Sequence, residues 1–145
     1  MNVTPQPQKA GVVVLKENRN SWRCLLLRAN ESWGFPKGAL NRGETPLAAA
    51  KREVQEETSL YDLYFRWGDI FIETQPLAGH KVARYYLALT SQSQVFLPVS
   101  AELGRAEHDE FRWTRFVEAK ALLSAHLRPV VIWAENIAAF AGELK

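Results

Sequence analysis

Glu53, Glu56 and Glu57 stand at i, i+3 and i+4. On a helix, at about 100° per residue, their side chains fan over roughly 100° of one face. Three carboxylates this close repel one another. A hard divalent cation with oxygen ligands removes that repulsion, and Mg²⁺ suits a few carboxylates together with waters and substrate phosphates. Arg52 lies four residues before Glu56 and can orient a carboxylate of the cluster. Glu44 sits at the helix entrance, where an acid favours the helix dipole. An E-x-x-E-E run also occurs on plain solvated helix faces, so the surrounding residues must decide.

The elements that would position these groups can be read from the same chain. Residues 45–58 read as a helix, with Thr45 as N-cap, Pro46 at the first helical position and a body, LAAAKREVQEE, of good helix formers. Leu47, Ala50 and Val54 cluster on nearly the opposite face and can pack on a sheet, whereas Ala49 falls within the acidic face. Before the helix, residues 31–44 hold three glycines and a proline and read as a loop that turns sharply or approaches something closely. Residues 10–16 and 22–28 read as a hairpin, and 65–74 and 79–90 as two longer strands with a turn at 75–79. Residues 91–105 read as a polar loop, 110–116 as a strand and 117–126 as a short helix. From Pro129, the residues Val130, Trp133, Ala134, Ile137 and Ala141 make the apolar stripe of a C-terminal helix. Strands and helices mix without strict alternation, which predicts an α/β layered domain on a mixed sheet.

The chain has 145 residues, a formal charge of +2 and one cysteine. That length predicts a single domain over 1–145, with 1–8 a loose lead-in. The small charge argues against a strongly basic nucleic-acid scaffold. Cys24, within Cys24-Leu25-Leu26-Leu27, reads as a buried small hydrophobe. No signal peptide and no apolar run of transmembrane length is visible, so a cytoplasmic protein is expected. Three scattered histidines and one cysteine show no zinc-ligand spacing.

Gly38, Glu44 and the run Arg52-Glu53-Val54-Gln55-Glu56-Glu57-Thr58-Ser59-Leu60 resemble the Nudix box, G-x5-E-x7-R-E-U-x-E-E-x-G-U. Every fixed position matches except Ser59, where the family usually has glycine as a helix stop. The resemblance implies a Nudix-type α/β/α sandwich with a mixed β-sheet. It also implies Mg²⁺-dependent hydrolysis of a nucleoside diphosphate linked to another group, with Mn²⁺ able to substitute. Carried over, Glu53, Glu56 and Glu57 are metal ligands, and the Gly38 carbonyl faces the same ion. Arg52 orients the carboxylates, Glu44 supports the loop–helix junction, and a glutamate accepts the proton of the attacking water.

Trp33-Gly34-Phe35-Pro36-Lys37-Gly38 is similar to the diadenosine tetraphosphate hydrolase branch of that family and to RNA 5′-pyrophosphohydrolases; Lys37 can offer a point charge to a phosphate chain. Glu107-His108-Asp109-Glu110-Phe111-Arg112-Trp113 resembles a segment of the same branch whose first glutamate reaches the metal site. That implies Glu107 as a further ligand or base, with Glu110 the fallback. His108 can contact phosphate, and no specific role is the alternative for a lone loop histidine. Lys81 nears a phosphate chain if its strand end faces the site. Trp33, Tyr85 and Tyr86 are candidates for stacking on a base, but alternation sends the two tyrosines to opposite sheet faces, and core packing is the alternative for each. Trp67, Trp113 and Trp133 read as core. Pro76 stands where ADP-ribose pyrophosphatases often carry proline, which keeps that substrate open. The expected partner is a small nucleotide, neither a membrane nor a long nucleic acid. A dinucleoside polyphosphate leads, with (d)NTPs, ADP-ribose and 5′-triphosphorylated RNA as alternatives and a noncatalytic nucleotide-binding module as the rival class.

Overall fold

The structure, a computed structural model, describes residues 6–92 and 94–140. Residues 1–5 of the expected lead-in, and Ala141 of the apolar stripe, lie outside them. Two hairpins start the sheet. Strand β1 (Lys9–Asn18) pairs antiparallel with β2 (Ser21–Ala29), with Leu15 opposite Cys24. Arg19 and Asn20 both take positive φ at the connection, the backbone that two-residue hairpin turns need to match strand twist. Asn30 and Glu31 repeat that geometry before β3 (Ser32–Gly34).

The stretch 31–44 is therefore not all loop. β3 pairs with β2, and β4 (Lys37–Ala39) pairs with the start of β1. The two short strands are held where β1 and β2 part, and the Val12 N–H donates to the Pro36 carbonyl at 3.1 Å. Gly11 permits this approach, because a Cβ there would strike the Pro36 oxygen and Lys37. Composition alone gave a loop because glycine and proline mark turns and close approaches alike.

Helix α1 (Pro46–Thr58) follows, and the Ala48 N–H donates to the Thr45 hydroxyl at 3.2 Å. Ser59 closes the helix in the left-handed conformation, φ 68°, and its N–H donates to the Gln55 carbonyl at 2.9 Å. Serine thus performs the stop that glycine makes more cheaply.

The expected strand 65–74 shrinks to β5 (Phe71–Glu73), since Gly68 at φ +80° turns the chain before it. The next strand is β6 (Ala83–Leu89), which runs parallel to β1. Residues 91–105 carry a small hairpin, β7 (Val99–Ser100) with β8 (Arg105–Ala106). β9 (Glu110–Thr114) pairs with β2, and α2 (Phe116–Leu122) and α3 (Arg128–Phe140) close the described chain. The main sheet runs β3-β2-β1-β6-β5, with β4 on β1 and β9 on β2. One parallel pair among antiparallel ones makes it the mixed sheet expected.

Alternation along the central strands sends apolar groups to both faces. Val13, Leu15, Cys24, Tyr85 and Leu87 pack beneath α2 and α3. Val12, Val14, Leu25, Leu27 and Tyr86 pack beneath α1, against Ala50 and Val54. The result is an α/β/α sandwich. Cys24 is fully buried, and Trp67, Trp113 and Trp133 pack against the two cores. Ala49 departs from expectation: it is fully buried and packs with Ala50 and Val54, while Glu56 on the acidic face stays exposed. No helix among the described residues is long and apolar enough to cross a membrane.

Candidate active site

Where α1 meets β4, the Glu53 carboxyl fills the space that a side chain on residue 38 would need; a Cβ on Gly38 would collide with it. Glycine is required here by close approach, since only a bare backbone leaves room for the carboxylate. The Glu53 side chain is 14% exposed and that of Glu57 only 9%, whereas Glu56 is 55% exposed. The Lys37 N–H donates to Glu57 at 3.2 Å.

Arg52 holds the cluster. Its guanidinium donates to both oxygens of Glu44 at 2.8 and 2.9 Å, to Glu53 at 2.7 Å and to Glu56 at 3.1 Å. A further bond to the Ala39 carbonyl at 2.9 Å ties the helix to β4. The planar fork of arginine suits this spread of acceptors, which an ammonium could not match. Glu44 also accepts from the Asn41 N–H at 2.8 Å, and these bonds, Arg52 first, hold its carboxyl down at about 2.

Glu57 is pushed the other way. Burial, then a hydrogen bond with Glu53, then the charges of Glu53 and Glu107 carry it well above the usual carboxylate range, with Lys37 opposing. Glu107, 58% exposed, comes in from the loop after β8. His108 beside it is buried, with Nε2 3.9 Å from Glu57 and Nδ1 3.8 Å from Glu107. These groups with Glu53 and Glu56 line a cleft of about 200 Å³, roofed by Leu97, Pro98, Val99 and Ser100. Glu110 is engaged elsewhere, with Arg28 at 3.4 Å and Arg112 at 3.2 Å along the β2–β9 ladder. The loop acid brought to the cleft is therefore Glu107.

A larger cavity, about 640 Å³, lies next to it. Lys37 and Lys81 line it, and so does Lys9 at the start of β1, which falls at the border of the lead-in and carries no motif. Burial, then the neighbouring charges of Lys37 and Lys81, hold the Lys9 ammonium below the usual lysine range. Trp33 also lines the cavity, with the Arg112 guanidinium 4.8 Å from its ring centre. Tyr85 underlies the floor at 1% exposure, its ring 5.2 Å edge-on from Phe35, so it packs in the core and offers no free face for stacking. Tyr86 faces the opposite core, 5.8 Å from Phe71. His80 and His126, 4.5 Å apart, line the far wall. Sequence spacing missed His126, since nothing local marks a residue that a helix–helix turn brings to a strand end.

The donor set fits a divalent cation: several carboxylates converge on one cleft, and Glu53 is seated against a backbone opened by Gly38. The NUDIX domain family matches residues 5–134. The chain belongs to this family. Curated relatives include an RNA pyrophosphohydrolase of Bartonella bacilliformis, 27% identical over 131 residues, covering 75% of this chain and 77% of that protein. An RNA pyrophosphohydrolase of Psychrobacter arcticus is 27% identical over 103 residues, covering 60% of this chain and 58% of the relative's own length. Among solved structures, a C. elegans Ap4A hydrolase binary complex superposes with a TM-score of 0.75 at 23% identity, covering 92% of this chain and 98% of that one.

Proposed function

We propose that this protein is a metal-dependent pyrophosphohydrolase acting on phosphoric anhydride bonds of nucleoside polyphosphates. Mg²⁺ is the physiological ion in this reading, Mn²⁺ can replace it, and the whole of 1–145 acts as one hydrolase domain. The observation that carries the reading is the junction of two opposite regions. Glu57, in the acidic cleft, accepts from the backbone of Lys37, whose side chain lines the basic cavity. A polyphosphate chain held by Lys9, Lys37 and Lys81 would run directly into the carboxylate cleft.

Glu53, Glu56, Glu57, Glu107 and the Gly38 carbonyl would hold the cation, which when bound lowers the pKa of water and screens phosphate charge. Arg52 and Glu44 fix the carboxylates before substrate arrives. With the cation bound, its charge would return Glu57 to the carboxylate form, and Glu57 would then accept a proton from the attacking water. The lysines bind the anionic chain and Trp33 lies beside the space for a nucleoside.

The leading substrate is a dinucleoside polyphosphate such as diadenosine tetraphosphate, supported by the W-G-F-P-K-G run and by Glu107 in the cleft. A second reading, the 5′-triphosphate end of RNA, is favoured by the names of the curated relatives. Product analysis with Mg²⁺ separates them. ATP plus AMP from diadenosine tetraphosphate, at higher kcat/KM than for triphosphorylated RNA, ADP-ribose or (d)NTPs, is expected. Preference for RNA selects the second reading, and no turnover of any of them removes the enzyme proposal in favour of a nucleotide-binding module.

A further inference from the structure

His108 is 7% exposed, and neither of its ring nitrogens has a hydrogen-bond partner among the described residues. The imidazole lines the acidic cleft, so its nitrogens are open to a ligand there. Its two nitrogens face carboxylates, Nε2 toward Glu57 at 3.9 Å and Nδ1 toward Glu107 at 3.8 Å. One ligand atom from each of Glu57, Glu107 and His108 falls within 4.8 Å of the others. Three donors bound at about 2.0–2.2 Å round one ion stand roughly 3–3.8 Å apart, so a closure of up to about an ångström completes the set. The other two histidines stack on each other in the neighbouring cavity.

We propose that His108 supplies a nitrogen ligand to a cation shared with Glu57 and Glu107, giving this cleft a mixed oxygen–nitrogen site rather than a purely carboxylate one. The inference rests on the metal-dependent reading of the same cleft. Imidazole adds affinity for transition ions and little for Mg²⁺, so the site prefers Mn²⁺ or a later first-row divalent ion over Mg²⁺. The geometry also explains why an imidazole is buried among acids: it displaces water from the cleft while keeping a donor aimed at the ion.

The test is pulsed electron paramagnetic resonance of the full chain with one equivalent of Mn²⁺ and no nucleotide, comparing natural-abundance protein with protein labelled at histidine with ¹⁵N. A histidine nitrogen coupling that changes with the label, and is lost in His108→Asn, is expected. Calorimetry of the same pair should show Mn²⁺ affinity falling about tenfold or more in the variant, with a smaller change for Mg²⁺. A wild-type spectrum insensitive to the histidine label overturns the proposal, as does an equal loss of both metals. The labelled wild-type spectrum answers even if the variant does not fold. It also separates two failures: nitrogen coupling without nucleotide turnover retains His108 as ligand and removes the hydrolase, whereas turnover without coupling does the reverse.

Discussion

The acidic cleft and the basic cavity are built on opposite terms. In the cleft, burial crowds carboxylates and drives Glu57 up; in the cavity, burial and neighbouring lysines drive Lys9 down. Each region by itself gathers like charges, which is unfavourable unless an opposite charge arrives. In the proposed reading a cation would satisfy the first and a polyphosphate the second. The two deficits adjoin at Lys37, so a single metal–polyphosphate complex would relieve both. Neither region taken singly would show this, since acidic clusters and lysine clusters are each common surface features.

The largest expected effect comes from breaking the acidic side at its most buried member. Glu57→Gln should lower kcat by about 10²–10⁴-fold, the usual share of a positioned proton acceptor, in steady-state turnover of diadenosine tetraphosphate. The same change should raise the melting temperature of the metal-free protein above pH 7. The sign follows from linkage. The folded-state pKa of Glu57 is raised, so its contribution is fully present below the ordinary carboxylate range and is lost as pH rises above it. Glutamine carries no charge to desolvate, and the gain should vanish when metal is added to the wild type. A catalytic loss without a metal-free gain would mean that the two effects have separate origins.

Arg52→Ala is expected to come next. It removes bonds to Glu44, Glu53 and Glu56 together and leaves the cluster unpositioned. Outer partners of metal ligands typically contribute 10–100-fold in affinity, and calorimetric Mg²⁺ or Mn²⁺ binding should weaken by about that factor. Arg52→Lys should recover little of it, because one ammonium cannot reach acceptors spread over β4 and two turns of α1.

The acidic side was legible in the sequence and the basic side was half legible, for a physical reason. Glu53, Glu56 and Glu57 owe their arrangement to one helix, and helical periodicity is local. Gly38 and Glu44 stand within fifteen residues of Arg52, so the box carried its own geometry. Lys9, Lys81 and His126 meet only because β1 runs parallel to β6 and the α2–α3 turn reaches the same edge. Parallel pairing is a long-range fact with no local mark. The short strands β3, β4 and β7 failed to register for a related reason: two or three residues are fewer than an alternation needs. Fold class survived these misses because the central strands and α1 carry strong patterns. His108 was visible as a residue but not as a role, since its burial depends on the loop folding over the end of α1.

Lys81→Ala and Lys9→Ala test the basic side. Each should raise KM for the nucleotide about tenfold or less, the scale of one charged hydrogen bond to a phosphate, with kcat nearly unchanged. KM should also become less sensitive to salt in the variants, because part of the attraction to the anionic chain is gone. A large fall in kcat would instead place the lysine at the reacting phosphorus, and the separation of the two regions by task would fail.

The smallest effect distinguishes two carboxylates inside the acidic region itself. Glu44 and Glu57 lie one at each end of the same helix assembly, yet their surroundings move them in opposite directions. Glu44 is held at about 2 by Arg52, below its ordinary value of 4.5. A depressed folded-state pKa gives stability that is complete above the ordinary value and lost as pH falls through the folded one. The wild type should therefore melt above Glu44→Gln by a constant margin at neutral pH, and the margin should close as the pH falls from about 4.5 toward 2. Thermal melts of both proteins across that range, without metal, isolate this one group because the other carboxylates are common to the pair. A margin that stays constant to the acid limit would show that it does not arise from the ionisation of Glu44. In that case the contrast between the two glutamates would rest on the burial of Glu57 alone.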